Sequence, residues 1–438
     1  MWKTLTNAFK IKEVRKRIIY TFLILIVVRI GAQLPIPGVN TTYFATWFAS
    51  QSGTAFNFFD AMTGGSFTQL SVFALSITPY ITSSIIIQLL TIAIPKLEEI
   101  QKEGEEGRKF IAKLTRYVTI GLALIESTAM TIGFGRSGLL VNFTWYNVII
   151  VIVTMTAGSA MLMWLGERIT DKGIGNGISI VLLINILSGL PNDFVTLYDR
   201  FIKGSSIAKG ALSLVIILAV ILAMVCFVVV LQDGERRIPV QYAKKMQGRK
   251  LYGGQSSNIP LKVNTAGVIP VIFASSLMSF PVVIAQFFNV DYSTVGGRIL
   301  LGLSSSNWCK PSDPILSIGL LVYIVLIVAF AYFYTSITFN PIEIADNMKK
   351  QGGFIPGIRP GRPTSDYLNR ILNYIVFIGA AGLIIVAVIP ILCSGLFNIG
   401  SLSFGGTSII IIVGVILETL KQVESLMLVR YYKGFLND

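Results

Sequence analysis

Apolar positions in this chain do not alternate, and they do not fall in narrow helical stripes. They come as long runs, at about 18–34, 73–94, 115–134, 145–165, 176–190, 211–231, 264–288, 315–338, 368–391 and 405–426. A helix needs roughly 20 apolar residues to cross a bilayer. The pattern therefore predicts ten membrane-crossing helices joined by polar connections. Two of the runs are poor spans by themselves. The fifth is short and opens on the glycine-rich Gly173–Gly177, and the seventh carries Pro270 and Pro281. Glycine and proline weaken a helix interior. Such segments suit the inside of a bundle, where neighbours or water satisfy freed backbone groups.

The stretch from Thr54 to Pro95 breaks the pattern most. Its first part, about Ala55 to Met62, is a short apolar turn or two ended by Gly64-Gly65, too short to span. Its second, about Phe73 to Ile94, is long enough, yet carries Ser76, Thr78, Thr82, Ser83, Ser84, Gln88 and Thr91. A short helix leading into a polar-flecked span predicts a segment that dips into a cavity, followed by a wall of that cavity.

Composition narrows the class. Of 438 residues, 53% are hydrophobic and 13% charged, with mean hydropathy +0.71. Soluble domains carry about 25% charged residues. The fold class is an all-α polytopic membrane protein. The first run lacks a small-residue cleavage site and reads as a true span, not a signal peptide. Three scattered cysteines, Cys226, Cys309 and Cys393, give neither a disulfide framework nor metal spacing. The chain has no histidine. That removes Ser-His and Cys-His nucleophile pairs and histidine-ligated zinc. No phosphate-binding GxxxxGK[ST] loop is present, and we expect no catalytic residue, metal or cofactor.

Charge sets the topology. The tails and the even-numbered loops, with adjoining span ends, hold 29 Lys and Arg; the other side holds six, Arg136, Arg200, Lys203, Lys209, Arg298 and Lys310. The positive-inside rule puts both termini in the cytoplasm, which fits an even number of spans. Residues 1–17 are basic, with apolar Trp2, Leu5, Phe9 and Ile11. They read as an amphipathic helix on an anionic leaflet or as a solvated basic tail. Residues 191–210 form an external loop and 427–438 a cytoplasmic tail. Two cytoplasmic loops are long. Residues 232–262 alternate charge with β-formers and predict a protruding hairpin. Residues 339–367 predict a short helix and then a Gly/Pro-rich tip around Arg359. Their basic character suits a negatively charged partner such as ribosomal RNA or an acidic protein surface.

Three constellations bear on function. Ile81 and Ile85 share a helix face, Leu182 and Ile186 repeat that spacing, and Ile272 and Ile411 sit in later spans. Spacing alone does not separate a greasy constriction from ordinary packing. Gln88 and Asn264 lie near the cytoplasmic ends of the second and seventh spans, and such side chains can hydrogen-bond across helices for roughly 0.6–2 kcal/mol. Arg29 and Glu126 lie within apolar runs, toward outer ends where snorkelling is cheap. Without further buried acids, an ion-coupled secondary transporter with broken helices is the weaker alternative.

Seven motifs in one order then carry a resemblance: RIGAQLPIPG (29–38), ITPYITSSIIIQLL (77–90), WLGERITDKGIGNGISI (164–180), RRIPVQYAKK (236–245), LKVNTAGVIPVIFASS (261–276), NPIEIADNMKKQGGFIPGIRPG (340–361) and GGTSIIIIVGV (405–415). From about Lys16 onward the chain resembles the SecY/Sec61-alpha family, channel subunits of the protein-conducting translocon. The resemblance implies ten helices in two pseudo-symmetric halves, residues 18–190 and 211–426, hinged at the external loop 191–210, around an hourglass pore. It implies a pore ring of Ile81, Ile85, Leu182, Ile186, Ile272 and Ile411, with Leu182 standing where the family usually has isoleucine. It implies a short plug helix at about 55–66, with Asn57, Phe58, Phe59, Asp60, Ala61, Met62, Thr63, Gly64, Gly65 and Ser66 as its residues. It places Gln88 and Asn264 at a lateral gate. It assigns Arg359 to docking of the SecA motor ATPase and the ribosome, with Arg236, Arg237, Lys244, Lys245 and Arg249 on the same surface. SecE-like and SecG-like small subunits, signal sequences, nascent polypeptides and membrane lipid are the other implied partners, and the cytoplasmic membrane is the implied location.

Overall fold

The computed structural model describes residues 9–50, 60, 62–135, 138, 140–201, 207–242, 245–247, 250–252, 256–287, 294–304, 307–308, 314–397 and 406–434. Each of the ten apolar runs has most of its length in a helix. In chain order the helices are α1 (Lys12–Gly31), α2 (Thr41–Ser50), α3 (Thr78–Ala93), α4 (Pro95–Lys102), α5 (Glu105–Phe134), α6 (Trp145–Lys172), α7 (Gly177–Phe201) and α8 (Ile207–Asp233). Then come α9 (Ile269–Phe287), α10 (Val295–Leu303), α11 (Ile318–Thr338), α12 (Pro341–Lys350), α13 (Arg362–Phe397) and α14 (Gly406–Gly434). Six are long and apolar enough to cross a membrane by themselves. The pair α3 and α4, bent by 107° at Ile94–Pro95, makes a seventh if taken as one span. The large exposed apolar side chains, such as Phe22, Ile26, Leu124, Leu222, Val230 and Leu321, suit a lipid-facing surface.

The helices pack in two sets. Helices α1, α3, α5, α6 and α7 form one, and α8, α9, α11, α13 and α14 the other. One hydrophobic core fills the second set, around Val271, Tyr323, Ile327, Leu383 and Ile410. Another fills the outer part of the first, around Phe44, Leu70, Phe134 and Met155. The sets join mainly where α14 lies against α7. The Gly173–Gly177 loop is clasped there. Thr21 Oγ1 accepts from the Ile174 N–H at 3.1 Å, Gln422 Oε1 accepts from the Gly175 N–H at 2.5 Å, and the Arg17 guanidinium donates to the Gly173 carbonyl at 3.4 Å. On the far side, α3 and α9 share no extended packing among the described residues.

Four expectations change. The wall predicted from Phe73 to Ile94 becomes helical only at Thr78. Residues 64–77 run as successive turns and are mostly buried. Leu70 and Ser76 take positive φ angles of 44° and 52°, which a helix cannot contain. Backbone bonds from Ile36 N–H to the Leu70 carbonyl and from Val72 N–H to the Leu34 carbonyl tie this segment to the residues after α1. The external loop predicted at 191–210 is mostly helix. Its Gly189-Leu190-Pro191-Asn192 punctuation reads as a turn, but α7 continues through Pro191 to Phe201 and α8 begins at Ile207. The N-terminal segment does not lie free on a leaflet over its described part. Val14 is buried, and Ile11, Val14 and Ile18 pack with Ile174 and Val423. Trp2 and Leu5 lie outside the described residues.

The fourth change joins the two long loops expected on the cytoplasmic side. The expected hairpin forms: β1 (Glu235–Tyr242) pairs antiparallel with β4 (Ser256–Lys262), and inside it β2 (Lys245–Gln247) pairs with β3 (Lys250–Tyr252). Its partner was not expected. Strand β5 (Gly353–Phe354), from the other loop, adds to β1 through Gln241–Phe354 and Tyr242–Gly353. Ile238, Val240 and Leu261 then share a core with Met348, Ile355, Leu368, Ile371 and Ile375. The alternation in β1 that suggested a hairpin buries Ile238 and Val240 against α13.

Candidate functional site

The site forms where helices of both sets meet. Ile81 and Ile85 are on α3, Leu182 and Ile186 on α7, Ile272 on α9 and Ile411 on α14. Ile81, Ile186, Ile272 and Ile411 belong to one hydrophobic cluster, together with Ile77, Ile180, Val181 and Met62. Ile186 and Ile411 are nearly inaccessible, while Ile81 and Ile272 are half-buried. Leu182 is buried and Ile85 half-buried, both outside that cluster. Thus four helices each contribute an aliphatic side chain to one apolar knot.

Polar contacts hold the walls of this knot. On α3, Pro79 occupies the first turn, where no N–H is needed. The Ser83 hydroxyl meets that of Thr119 on α5 at 2.5 Å. The irregular segment before α3 is fastened at Ser76: its carbonyl accepts from the Ser159 hydroxyl on α6 and its hydroxyl from the Asn185 amide on α7, both at 3.1 Å. Gly158 lets this chain approach α6, since a Cβ there would lie 1.9 Å from the Val72 carbonyl oxygen.

Met62, in the segment expected to form the plug, belongs to the same cluster. Asp60, Met62 and Thr63 are helical. The Thr63 hydroxyl donates to the Asp60 carbonyl at 3.1 Å and accepts from the Phe67 N–H at 3.2 Å. The Asp60 carboxylate accepts from the Thr68 N–H at 3.0 Å. Burial holds that carboxyl above the ordinary range, with the Thr68 hydrogen bond pulling the other way. Met62, Thr63, Gly64 and Ser66 are buried. Asn57, Phe58, Phe59 and Ala61 lie outside the described residues.

The remaining candidates fall elsewhere. Gln88 is exposed on α3, whereas Asn264 is buried in the turn before α9, and its amide nitrogen has no hydrogen-bond partner. The bond that the sequence left open does not form between them. Asn264 lies instead where α13 crosses, beside Gly379. Arg359 is exposed on the tip before α13, its carbonyl accepting from Thr364 Oγ1 at 2.8 Å. Arg236 and Arg237 are exposed on β1, and Arg237 is paired with Glu235 of the same strand. Lys245 is on β2; Lys244 and Arg249 lie outside the described residues. Arg29, read from sequence as a snorkelling charge, turns inward, with Nη1 3.4 Å from the Gly64 carbonyl. Glu126 is half-buried on α5. Sequence reasoning missed Ser159, Asn185 and Ser188. Isolated small polar residues in spans are common, and only the fold shows that they converge on one segment.

A family model described as SecY matches residues 71–420. This chain belongs to the SecY family. It is 44% identical over 453 residues to the protein translocase subunit SecY of Streptomyces scabiei, with all of both chains covered. Two solved structures share the SecY fold with it. One, of a protein-conducting channel, has a TM-score of 0.62 at 20% identity, covering 94% of this chain and 92% of that one. The other, of a SecY whose plug domain is described as stabilising the closed channel and maintaining a membrane seal, has a TM-score of 0.61 with the same identity and coverage. At that identity the likeness is one of fold. The SecY fold makes this a membrane protein built as those channels are.

Proposed function

We propose that this chain is the channel that passes unfolded polypeptides across the cytoplasmic membrane and releases apolar segments sideways into lipid, with both termini in the cytoplasm. The observation that carries the reading is that Ile81, Ile186, Ile272 and Ile411, from four helices, share one hydrophobic cluster with Met62. A narrow ring of aliphatic side chains excludes water and ions by dewetting, yet parts around any peptide because it forms no bond to it. Ile85 and Leu182, one turn away on two of the same helices, extend the ring. The segment 57–66 is the second barrier, a plug that leaves when a polypeptide enters.

Sideways release follows from the sparse packing of α3 against α9. Helices in lipid gain little from apolar contact, because the tails are equally apolar. The apolar core of a signal sequence, roughly 7–15 residues, can therefore replace one such contact with another at small net cost. Gln88 and Asn264 flank this opening. The work comes from outside. SecA or a translating ribosome docks on the cytoplasmic unit through Arg359 and the basic hairpin with Arg236, Arg237, Lys244, Lys245 and Arg249. SecE-like and SecG-like subunits complete the assembly.

Two measurements test the reading. A secretory chain stalled in transit should cross-link to a photoreactive residue placed at 81 or 272, and not to one at the exposed position Leu222. Deleting residues 57–66 should make vesicles holding the assembled channel leaky to ions. Cross-linking at Leu222 alone, with a tight membrane after the deletion, removes the proposal.

A further inference from the structure

We propose that Arg29 holds the plug in its seat by donating to the Gly64 carbonyl, with Ser188 as a second, shared donor. The inference rests on the reading of residues 57–66 as the seal.

Three elements meet at this one oxygen. Arg29 Nη1 approaches it from α1 at 3.4 Å, and the Ser188 hydroxyl from α7 at 3.2 Å. The fit needs a glycine. Gly64 has φ +65°, and a Cβ there would lie 2.5 Å from Ser188 Oγ, 2.7 Å from the Asn185 carbonyl oxygen and 2.9 Å from Arg29 Nη1. Only a residue without a side chain presents its carbonyl to both donors while its Cα rests against α7.

The two donors are not equivalent. A serine hydroxyl has one proton, and Ser188 also lies 2.6 Å from the Asn185 carbonyl of its own helix. When Gly64 departs, Ser188 keeps an acceptor. Arg29 does not. Among the described residues it makes no ion pair, and the groove on its other side is apolar. That groove, about 530 Å³, is lined by Phe22, Leu25, Ile26, Ile30 and Ile184, with Gln33 the other polar member. Arg29 is half-buried in the last turn of α1, and a guanidinium flanked by an apolar groove with so few protein acceptors is costly to leave unsatisfied. The Gly64 carbonyl relieves that cost only while the plug is in place. Its acceptor is neutral and the distance long, so the hold is firm enough to bias the closed state and weak enough for an entering chain to break. Arg29 is thus a positioning residue for the seal, touching the plug rather than the passing polypeptide.

The test uses the assembled channel in vesicles, reading passive ion flux with no client present. Arg29→Leu should raise the flux roughly five- to tenfold, the scale of one ordinary hydrogen bond, since the contact is long and its acceptor neutral. Ser188→Ala should change it by about twofold or less, because its proton is already shared. Arg29→Gln, which keeps a donor without the charge, should fall between and serves if the leucine variant does not accumulate. In a chain lacking residues 57–66, Arg29→Leu should add nothing to the flux. An unchanged flux in the full chain overturns the proposal. An equal rise in both backgrounds also overturns it, because Arg29 then acts on the wall and not on the plug. If the deletion itself leaves the membrane tight, the seal assignment fails, and that result is separate from either outcome.

Discussion

Asn264 shows how far a single residue departs from its sequence reading. Its place near the same span end as Gln88 allows a hydrogen bond between the two but does not require one. In the structure Gln88 is exposed, and the Asn264 amide nitrogen is buried and unbonded. A buried donor without a partner costs about 1–3 kcal/mol. An apolar residue of similar size at 264 should therefore be neutral or stabilising. A double-mutant cycle of Gln88→Ala and Asn264→Ala on thermal unfolding should give a coupling below about 0.5 kcal/mol, as for independent sites. A coupling well above that returns the pair to direct contact. Arg29 went the other way. Its position near a span end suggested a charge reaching for water, and the fold gives it a backbone carbonyl inside.

At the scale of elements, the two long loops at 232–262 and 339–367 form one small folded unit. Strand β5 contributes two residues, too few to recognise from any pattern of alternation. It is held because Ile355, directly after it, is buried with Val240, Met348 and Leu368. Two variants separate the unit's structure from its surface. Ile355→Ala should cost about 2–5 kcal/mol by emptying that core. Protease should then nick the 232–262 hairpin faster, and motor docking should fall as a consequence. Arg359→Glu, on the exposed tip, should leave protease resistance and membrane insertion unchanged while abolishing motor-driven transport. Normal ATP-coupled transport in the Arg359→Glu protein would remove the docking assignment.

At the scale of the whole molecule, the two helix sets are bound tightly on one side and loosely on the other. The tight side has a polar joint at Gly175, whose N–H is received by Gln422 from the opposite set. Gly175 has φ +79° and no room for a Cβ beside Ile180 and Thr419. On the proposed function, an opening between α3 and α9 would proceed as rotation about this joint. Gln422→Leu leaves a partly buried N–H unpaired, at a cost of about 1–3 kcal/mol. Amide exchange at Gly175 should accelerate by one to two orders of magnitude, while exchange at Val271 and Ile327, inside one set, stays slow. Equal acceleration everywhere would mean that the joint is part of global stability and not a pivot.

The chain's own pattern determined the membrane class, the helical composition and the approximate place of every apolar run. These follow from the length of unbroken hydrophobic sequence set against the thickness of a bilayer, which is a local property. The family motifs pointed to the six ring positions. Helical spacing by itself left Ile81 and Ile85 indistinguishable from packing residues. What only the tertiary structure decided is which side chains share a space. Ile81 and Ile411 are 330 positions apart along the chain, and nothing in their neighbourhoods encodes their meeting. The turns at 64–77 were hidden for the same reason. Leu70 and Ser76 accept strained backbone angles because distant Ile36, Ser159 and Asn185 supply the compensating hydrogen bonds.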